Sequence, residues 1–310
     1  MNEQSTDRPP QAGTTGGEEA QNNPVEKILP AESHDLGGFT VQRVLPAAAQ
    51  RMIGPFVFFD QMGPATLPAD QGVNVRPHPH IGLSTLTWLL EGQIMHRDSL
   101  GYVQQIKPGE VNWMTAGSGI VHSERSPERL KGQEKRLFGL QVWMALPKNQ
   151  EETDASFQHY KATELPVFDG EGRRAVIVAG TAWGKTSPVS VFWETLYVDV
   201  TLQAGATLPL DLDHEERALY LLTGEIEIAG VHYQPGGMLV LKPGATPTLK
   251  ARADSRLVVI GGAKMDGPRH VWWNFVSSRK ERIEQAKADW RDGHFAKVPS
   301  DDEFIPLPDG

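Results

Sequence analysis

Two short stretches carry residues whose types and spacing suit metal chemistry. In "RPHPHIGLSTLTWLLEGQI", residues 76–94, His78 and His80 flank Pro79; in "TAGSGIVHSE", residues 115–124, His122 and Glu124 also stand two apart. Side chains at i and i+2 of a strand point to one face, so each pair converges on one side of its strand. Pro79 faces the other way and gives up a ladder donor, which a strand start or sheet edge tolerates. If the two strands are neighbours in a barrel, three imidazoles and one carboxylate meet inside it, an N3O set suited to a divalent cation. The competing reading is a pair of buried, hydrogen-bonded histidines. A lone His-x-His does not decide between the two; a second ligand-type pair beside a glycine turn favours the metal.

Composition narrows the ligand chemistry further. The chain has no cysteine among its 310 residues, which excludes disulfides, zinc-thiolate sites and iron-sulfur clusters and leaves histidine and carboxylates as metal ligands. A net charge of −9 disfavours direct contact with nucleic acid or anionic lipid, whereas a protein partner stays open. No run approaches the ~18 to 20 apolar residues of a membrane span, and the first residues lack the apolar core of a secretory signal. The expected location is the cytoplasm, with no membrane association.

The elements that must position these residues read as β-structure. Residues 1–24 are polar and rich in Gly and Pro, and are expected to form a disordered tail. From Phe39 onward, runs such as "FTVQRVL", "STLTWLLEGQI" and "VNWMT" alternate with "PG", "GSG" and "GP", the pattern of an all-β sandwich or barrel. One amphipathic helix is expected near 278–292, opened by a capping box from Ser278 to Glu281 and stopped by Gly293. A Pro-rich, charged stretch after Trp143 places a domain boundary near Lys148, giving halves 25–148 and 149–310.

The second half repeats the first. "WLLEGQI" (88–94) matches "YLLTGEI" (220–226), and "KPGEVNWMTAG" (107–117) matches "QPGGMLVLKPG" (234–244), which favours two copies of one barrel. Anchored on these matches, His78 and His80 fall opposite Leu210 and Leu212, and His122 and Glu124 opposite Leu249 and Ala251. The second barrel is therefore expected to be apolar inside and metal-free. His214 and Glu216, also two apart, read as surface or loop residues.

"RPHPHIGLSTLTWLLEGQIMHRDSLG", "VNWMTAGSGIVHSE" and the earlier "GPFVFFDQMGPA" resemble the pirin family of bicupins, and "HVWWNFVSSRKERIEQAKADW" resembles the C-terminal segment of its bacterial members. The resemblance spans about residues 37–308. It implies an all-β bicupin fold, two cupin-type barrels facing each other, with one metal in the N-terminal barrel held by His78, His80, His122 and Glu124. Fe(II) is the first candidate, with Ni, Mn, Cu and Zn as alternatives. Two features depart from the patterns of these families. The glutamate that cupins place four residues after the second histidine is Ser84 here, so Glu124 takes its role as in pirins; Gln61 and the "GSG" turn stand where close relatives have His and "GRG".

The resemblance also implies an activity. In a quercetin 2,3-dioxygenase, a flavonol 3-hydroxyl and dioxygen meet at the metal, and the heterocycle opens with release of carbon monoxide. Glu124 would then be both ligand and general base, and thus the catalytic residue. The alternative is a non-catalytic, iron-binding, redox-responsive regulator that binds a protein partner. "MHRDSLG" sets His96 and Asp98 on one strand face, either as candidates to support the ligands or, with Arg97 between them, as part of a solvated hairpin, and Gln141 is a weaker candidate for a polar cavity contact. His34, His159, His232, His270 and His294 have no such company and read as surface or hydrogen-bonded residues.

Overall fold

A computed structural model describes residues 23–35, 40–210 and 213–308. The expected tail falls outside these residues except at Asn23 and Pro24, and Leu212 also lies outside them. Asn23 is held in place: its side-chain amide donates to the Tyr233 hydroxyl (2.7 Å) and its oxygen accepts the Val25 N–H (2.9 Å).

Among the described residues, strand accounts for 52% and helix for 8%. The strands form two similar barrels, each a seven-stranded sheet facing a four-stranded one. In the first, the large sheet runs Ser156–Tyr160, Val111–Thr115, Leu83–Glu91, Lys135–Ala145, Phe56–Leu67, Thr40–Leu45, Glu32–Asp35. Its small sheet runs Asn74–His80, Ile120–Arg125, Ile94–Asp98, Val103–Ile106. In the second, Val25–Pro30, Gly237–Leu241, Glu216–Thr223, Ser255–Gly262, Thr195–Leu202, Arg173–Ala179 and Val167–Gly170 face Thr207–Pro209, Thr248–Ala251, Ile226–Ile228 and Val231–Tyr233.

The two orders match strand for strand, as a duplication requires, but the outer strands are exchanged. Val25–Pro30 pairs with Gly237–Leu241 of the second barrel, and Ser156–Tyr160 pairs with Val111–Thr115 of the first. Each barrel is thus completed by a strand from across the division expected near Lys148.

Alternation along the strands explains how the halves join. On Leu83–Glu91, Leu86 and Trp88 face outward into a shared core with Phe56, Phe59, Val142, Tyr197, Tyr220 and Val258, while Leu89 packs inside the barrel with Val41, Met62 and Leu137. Two buried polar groups in this interface find partners across it: the Trp88 indole N–H donates to Asp199 (3.2 Å) and the Tyr220 hydroxyl to Gln61 (2.9 Å). The interior of the second barrel is filled with aliphatic side chains, among them Leu196, Val198, Leu208, Leu210, Leu249 and Leu257.

The C-terminal helix spans Lys280–Arg291 and buries Ile283 and Ala286. The capping box expected at Ser278 is not made. The Ser278 hydroxyl donates to buried Glu151 (3.1 Å) and its N–H to the same carboxylate (2.8 Å), so the helix starts after Arg279 with no side-chain cap. Gly293, at φ 75°, ends it as its position suggests. Among the described residues no helix is long and apolar enough to cross a membrane.

Candidate metal centre

The small sheet of the first barrel brings the two sequence pairs together. Ile120–Arg125 lies between Asn74–His80 and Ile94–Asp98, with His122 directly opposite His78 on one side and opposite Asp98 on the other. Gly82 closes the turn after the first pair with φ 68°; a Cβ there would stand 1.9 Å from the Val276 carbonyl oxygen, so only glycine fits. Gly117 does the same before the second pair, where a Cβ would meet the Thr153 carbonyl oxygen at 1.9 Å.

His78, His80 and His122 are buried, and one ring nitrogen of each lies within 4.8 Å of the others. Among the described residues no other group of histidines and carboxylates is gathered in this way. The Nε2 atoms of His80 and His122 are 3.1 Å apart. Adjacent donors about 2.1 Å from one ion sit roughly 3 Å apart, so the pair has the spacing of neighbouring ligands. His78 donates from Nδ1 to the Arg76 carbonyl (2.9 Å), which leaves Nε2 as its free lone pair.

Burial also sets the protonation that metal binding needs. It pushes the His78 imidazole down to about 4, against the Arg76 carbonyl, which favours the charged form. His80 and His122 are lowered well below the usual histidine range, first by burial and then by the neighbouring imidazoles. Three neutral imidazoles in one place are a ready nitrogen donor set.

Glu124 lines the same cavity but stands outside the three-histidine group. It is half-buried because it opens onto the cavity, and the protein around it pushes its carboxyl above the ordinary range, opposed by His96 and Thr87. The Thr87 hydroxyl lies 3.2 Å from Glu124 Oε1 and 2.7 Å from the Gln141 amide. Thr87 has one proton to give, and the Gln141 atom that faces it is the amide oxygen Oε1, so Gln141 and Glu124 are both acceptors of that hydroxyl. Gln141, weakly signalled in the sequence, thus meets Glu124 at Thr87, which carried no signal at all.

The cavity holds about 380 Å³. Phe58 and Trp143 stack along one wall with centroids 4.0 Å apart, and Trp143 meets the His80 ring edge-on at 5.2 Å. Arg43 lies over Phe58 and grips Asp60 through two bonds of 2.8 Å, so these two charges cancel within the cavity. Trp273, Asn274 and Ile305 close it from the far end of the chain. The Ile305 N–H donates to the Pro77 carbonyl (2.8 Å), and Arg125 holds Asp301 (3.0 Å) and Glu303 (2.6 Å). A separate hollow of about 270 Å³ lies on the outward face of the same strands, beside Pro77 and Val121, and contains none of the imidazoles.

The remaining candidates separate cleanly. His96 and Asp98 are buried and bonded to each other (2.9 Å), on the strand next to His122. Ser84 bonds Thr115 (2.9 Å), and Gln61 serves the interface between barrels. His214 is taken up by Glu194 (2.7 Å) and the Thr181 carbonyl (3.0 Å), while Glu216 accepts the Gly54 N–H (2.6 Å). His159, His232 and His294 bond Asn112, Glu225 and Asp289 respectively.

The register of the second barrel corrects one sequence pairing. Leu249 faces Leu208 on one side and Ile228 on the other, as His122 faces His78 and Asp98. Leu208 and Leu210, not Leu210 and Leu212, therefore correspond to His78 and His80. The strand ends lie farther apart in sequence here, Pro209 to Glu216 against His80 to Leu83 in the first barrel, so a match anchored beyond the gap misplaces the residues before it. Leu249 and Ala251 do correspond to His122 and Glu124.

The pirin family profile matches residues 38–144, and that of the pirin C-terminal cupin domain matches residues 197–296. The chain is 49% identical to a pirin-like protein of Caulobacter vibrioides, over 92% of this chain and 100% of that one. It superposes on the crystal structure of a quercetin 2,3-dioxygenase from Acinetobacter baumannii with a TM-score of 0.85 at 34% identity, covering 92% of this chain and 95% of that one. A bacterial pirin from Escherichia coli, solved in complex with nickel(II), superposes with a TM-score of 0.61 at 19% identity, over 76% and 96% of the two chains, a likeness of fold alone.

Proposed function

This chain belongs to the pirin family, and on that premise we propose that it is a metal-dependent dioxygenase of the quercetin 2,3-dioxygenase type, acting on a flavonol-like aromatic substrate. The observation that carries the reading is the gathering of His78, His80 and His122 in one cavity with Glu124. The three imidazoles would hold a divalent ion, Fe(II) before Ni, Mn, Cu or Zn, with Glu124 as fourth ligand. Such an ion supplies, when bound, the Lewis acidity and electron exchange that dioxygen chemistry requires.

The chain's own residues would do the rest. Glu124, its proton affinity raised by burial, takes the proton of the substrate hydroxyl, and Thr87 fixes the carboxylate that receives it. The Phe58–Trp143 wall offers a flat face to an aromatic ring beside His80. Because Asp60 neutralises Arg43, the cavity suits a substrate that enters uncharged.

The test is dioxygen uptake and carbon monoxide release with quercetin, on protein loaded in turn with each of the five metals. Stoichiometric uptake and release with at least one metal is expected. Absence of both with all five would overturn the enzymatic reading and leave the redox-responsive regulator.

A further inference from the structure

We propose that Asp98 and His96 form a relay that sets the tautomer of His122, and so decide whether its Nε2 can bind metal at all. The two are positioning residues. The proposal rests on the reading of His122 as a ligand, but the direction of the relay can be observed without metal or turnover.

The argument starts at Asp98, which is wholly buried. Its Oδ1 accepts the backbone N–H groups of Leu100 (2.9 Å) and Tyr102 (3.1 Å), which fixes the carboxylate in the turn after its strand. Oδ2 then faces His96 Nε2 at 2.9 Å. A carboxylate so placed accepts, so the His96 proton sits on Nε2 and its Nδ1 carries the lone pair. That Nδ1 lies 3.3 Å from Nδ1 of His122. Only one of the two can hold a proton there, and His96 has already committed its own. His122 must donate from Nδ1, which leaves its Nε2 bare and pointed at His80 Nε2.

Two further observations support a built relay. His96 is buried and stacked on Phe157, with centroids 4.6 Å apart and planes 20° from parallel, so the ring is held in one orientation. In the second barrel the places of Asp98 and His96, opposite Leu249 and Ala251, are taken by Ile228 and Ile226. The relay positions are polar where the ligand positions are polar, and apolar where they are apolar.

Asp98→Asn separates this role from mere packing. An amide nitrogen cannot accept, so the Asn oxygen must stay with the Leu100 and Tyr102 N–H groups and the NH₂ must face His96. His96 then carries its proton on Nδ1, His122 accepts there, and the His122 proton moves to Nε2, where it blocks the ligand lone pair. The bonds from Leu100 and Tyr102 are unchanged and the two bonds of the relay survive with their direction reversed, so the fold is retained while the donor is lost.

The experiment is ¹⁵N NMR of the imidazoles in metal-free wild type and D98N, with cobalt(II) affinity by absorption titration of both. Expected are His96 protonated on Nε2 and His122 on Nδ1 in wild type, both reversed in D98N, and cobalt(II) binding weakened roughly 10- to 100-fold. Wild-type His122 protonated on Nε2, His96 protonated on both nitrogens, or unchanged affinity in a D98N with reversed tautomers would overturn the relay. Should D98N fail to fold, the wild-type tautomers still decide. His122→Ala with undiminished cobalt(II) binding would instead defeat the ligand reading on which the proposal rests.

Discussion

His122 faces His78 across one ladder and Asp98 across the other, so a single residue of the central strand touches both the ligand group and the groups behind it. On the proposed ligand set, a change at this strand should therefore be felt in metal binding first.

Metal content should be close to one divalent ion per chain, and His80→Ala or Glu124→Ala should largely abolish it, because each lost ligand leaves the others competing with water. His214→Ala should leave the content at one, since the second barrel's matching positions are Leu208, Leu210, Leu249 and Ala251, all buried. Elemental analysis of the purified proteins checks all three. A second ion lost with His214, or undiminished metal in His80→Ala, would refute the assignment.

Glu124→Gln keeps an oxygen of similar reach but removes the base. Metal should be partly retained while turnover with quercetin falls by roughly 10² to 10⁴, the contribution of a positioned general base. The check is turnover per bound metal. Full turnover per ion in this variant would assign Glu124 to metal retention alone.

Acid should weaken the metal-free protein through the buried imidazoles. His78 titrates near 4 in the folded chain and near 6.5 when unfolded, so below pH 6.5 the unfolded state binds the extra proton and stability falls, until the folded state is protonated near pH 4. At about 1.4 kcal/mol per pH unit, this residue alone accounts for a loss of about 3 kcal/mol across that window, and His80 and His122 add in the same direction. Above pH 6.5 they contribute no slope. Urea unfolding at a series of pH values should show the loss, and His78→Gln should make it shallower while His80 and His122 keep the rest.

The C-terminal strap should govern access to the cavity. Ile305 lines it, and Arg125 holds the chain on either side of Asp302 through Asp301 and Glu303. These ion pairs are partly exposed and add little stability, so Arg125→Ala should leave the melting temperature nearly unchanged. Chelator should nonetheless remove metal several-fold faster from the variant, and high salt should bring wild type toward the same rate. Equal removal rates would show that the strap does not gate the site.

What the sequence determined by itself is whatever depends on parity along one strand. His78 with His80, His122 with Glu124 and His96 with Asp98 each share a face because strand side chains alternate, and no distant residue can change that. The duplicated barrel and its apolar second copy were legible for the same reason. Only the tertiary structure decided what depends on register between strands, which loop length and packing set and local pattern leaves open. The longer separation between the strand ends at Pro209 and Glu216 offset the match of the second barrel, and the exchange of Val25–Pro30 and Ser156–Tyr160 crossed the expected boundary. Thr87 reached Glu124, Phe157 stacked on His96, and Ile305 came to the cavity from more than two hundred residues beyond His78. The direction of the protons between Asp98 and His122 belongs to this second class, because it is set by which backbone N–H groups the folded turn offers to one carboxylate.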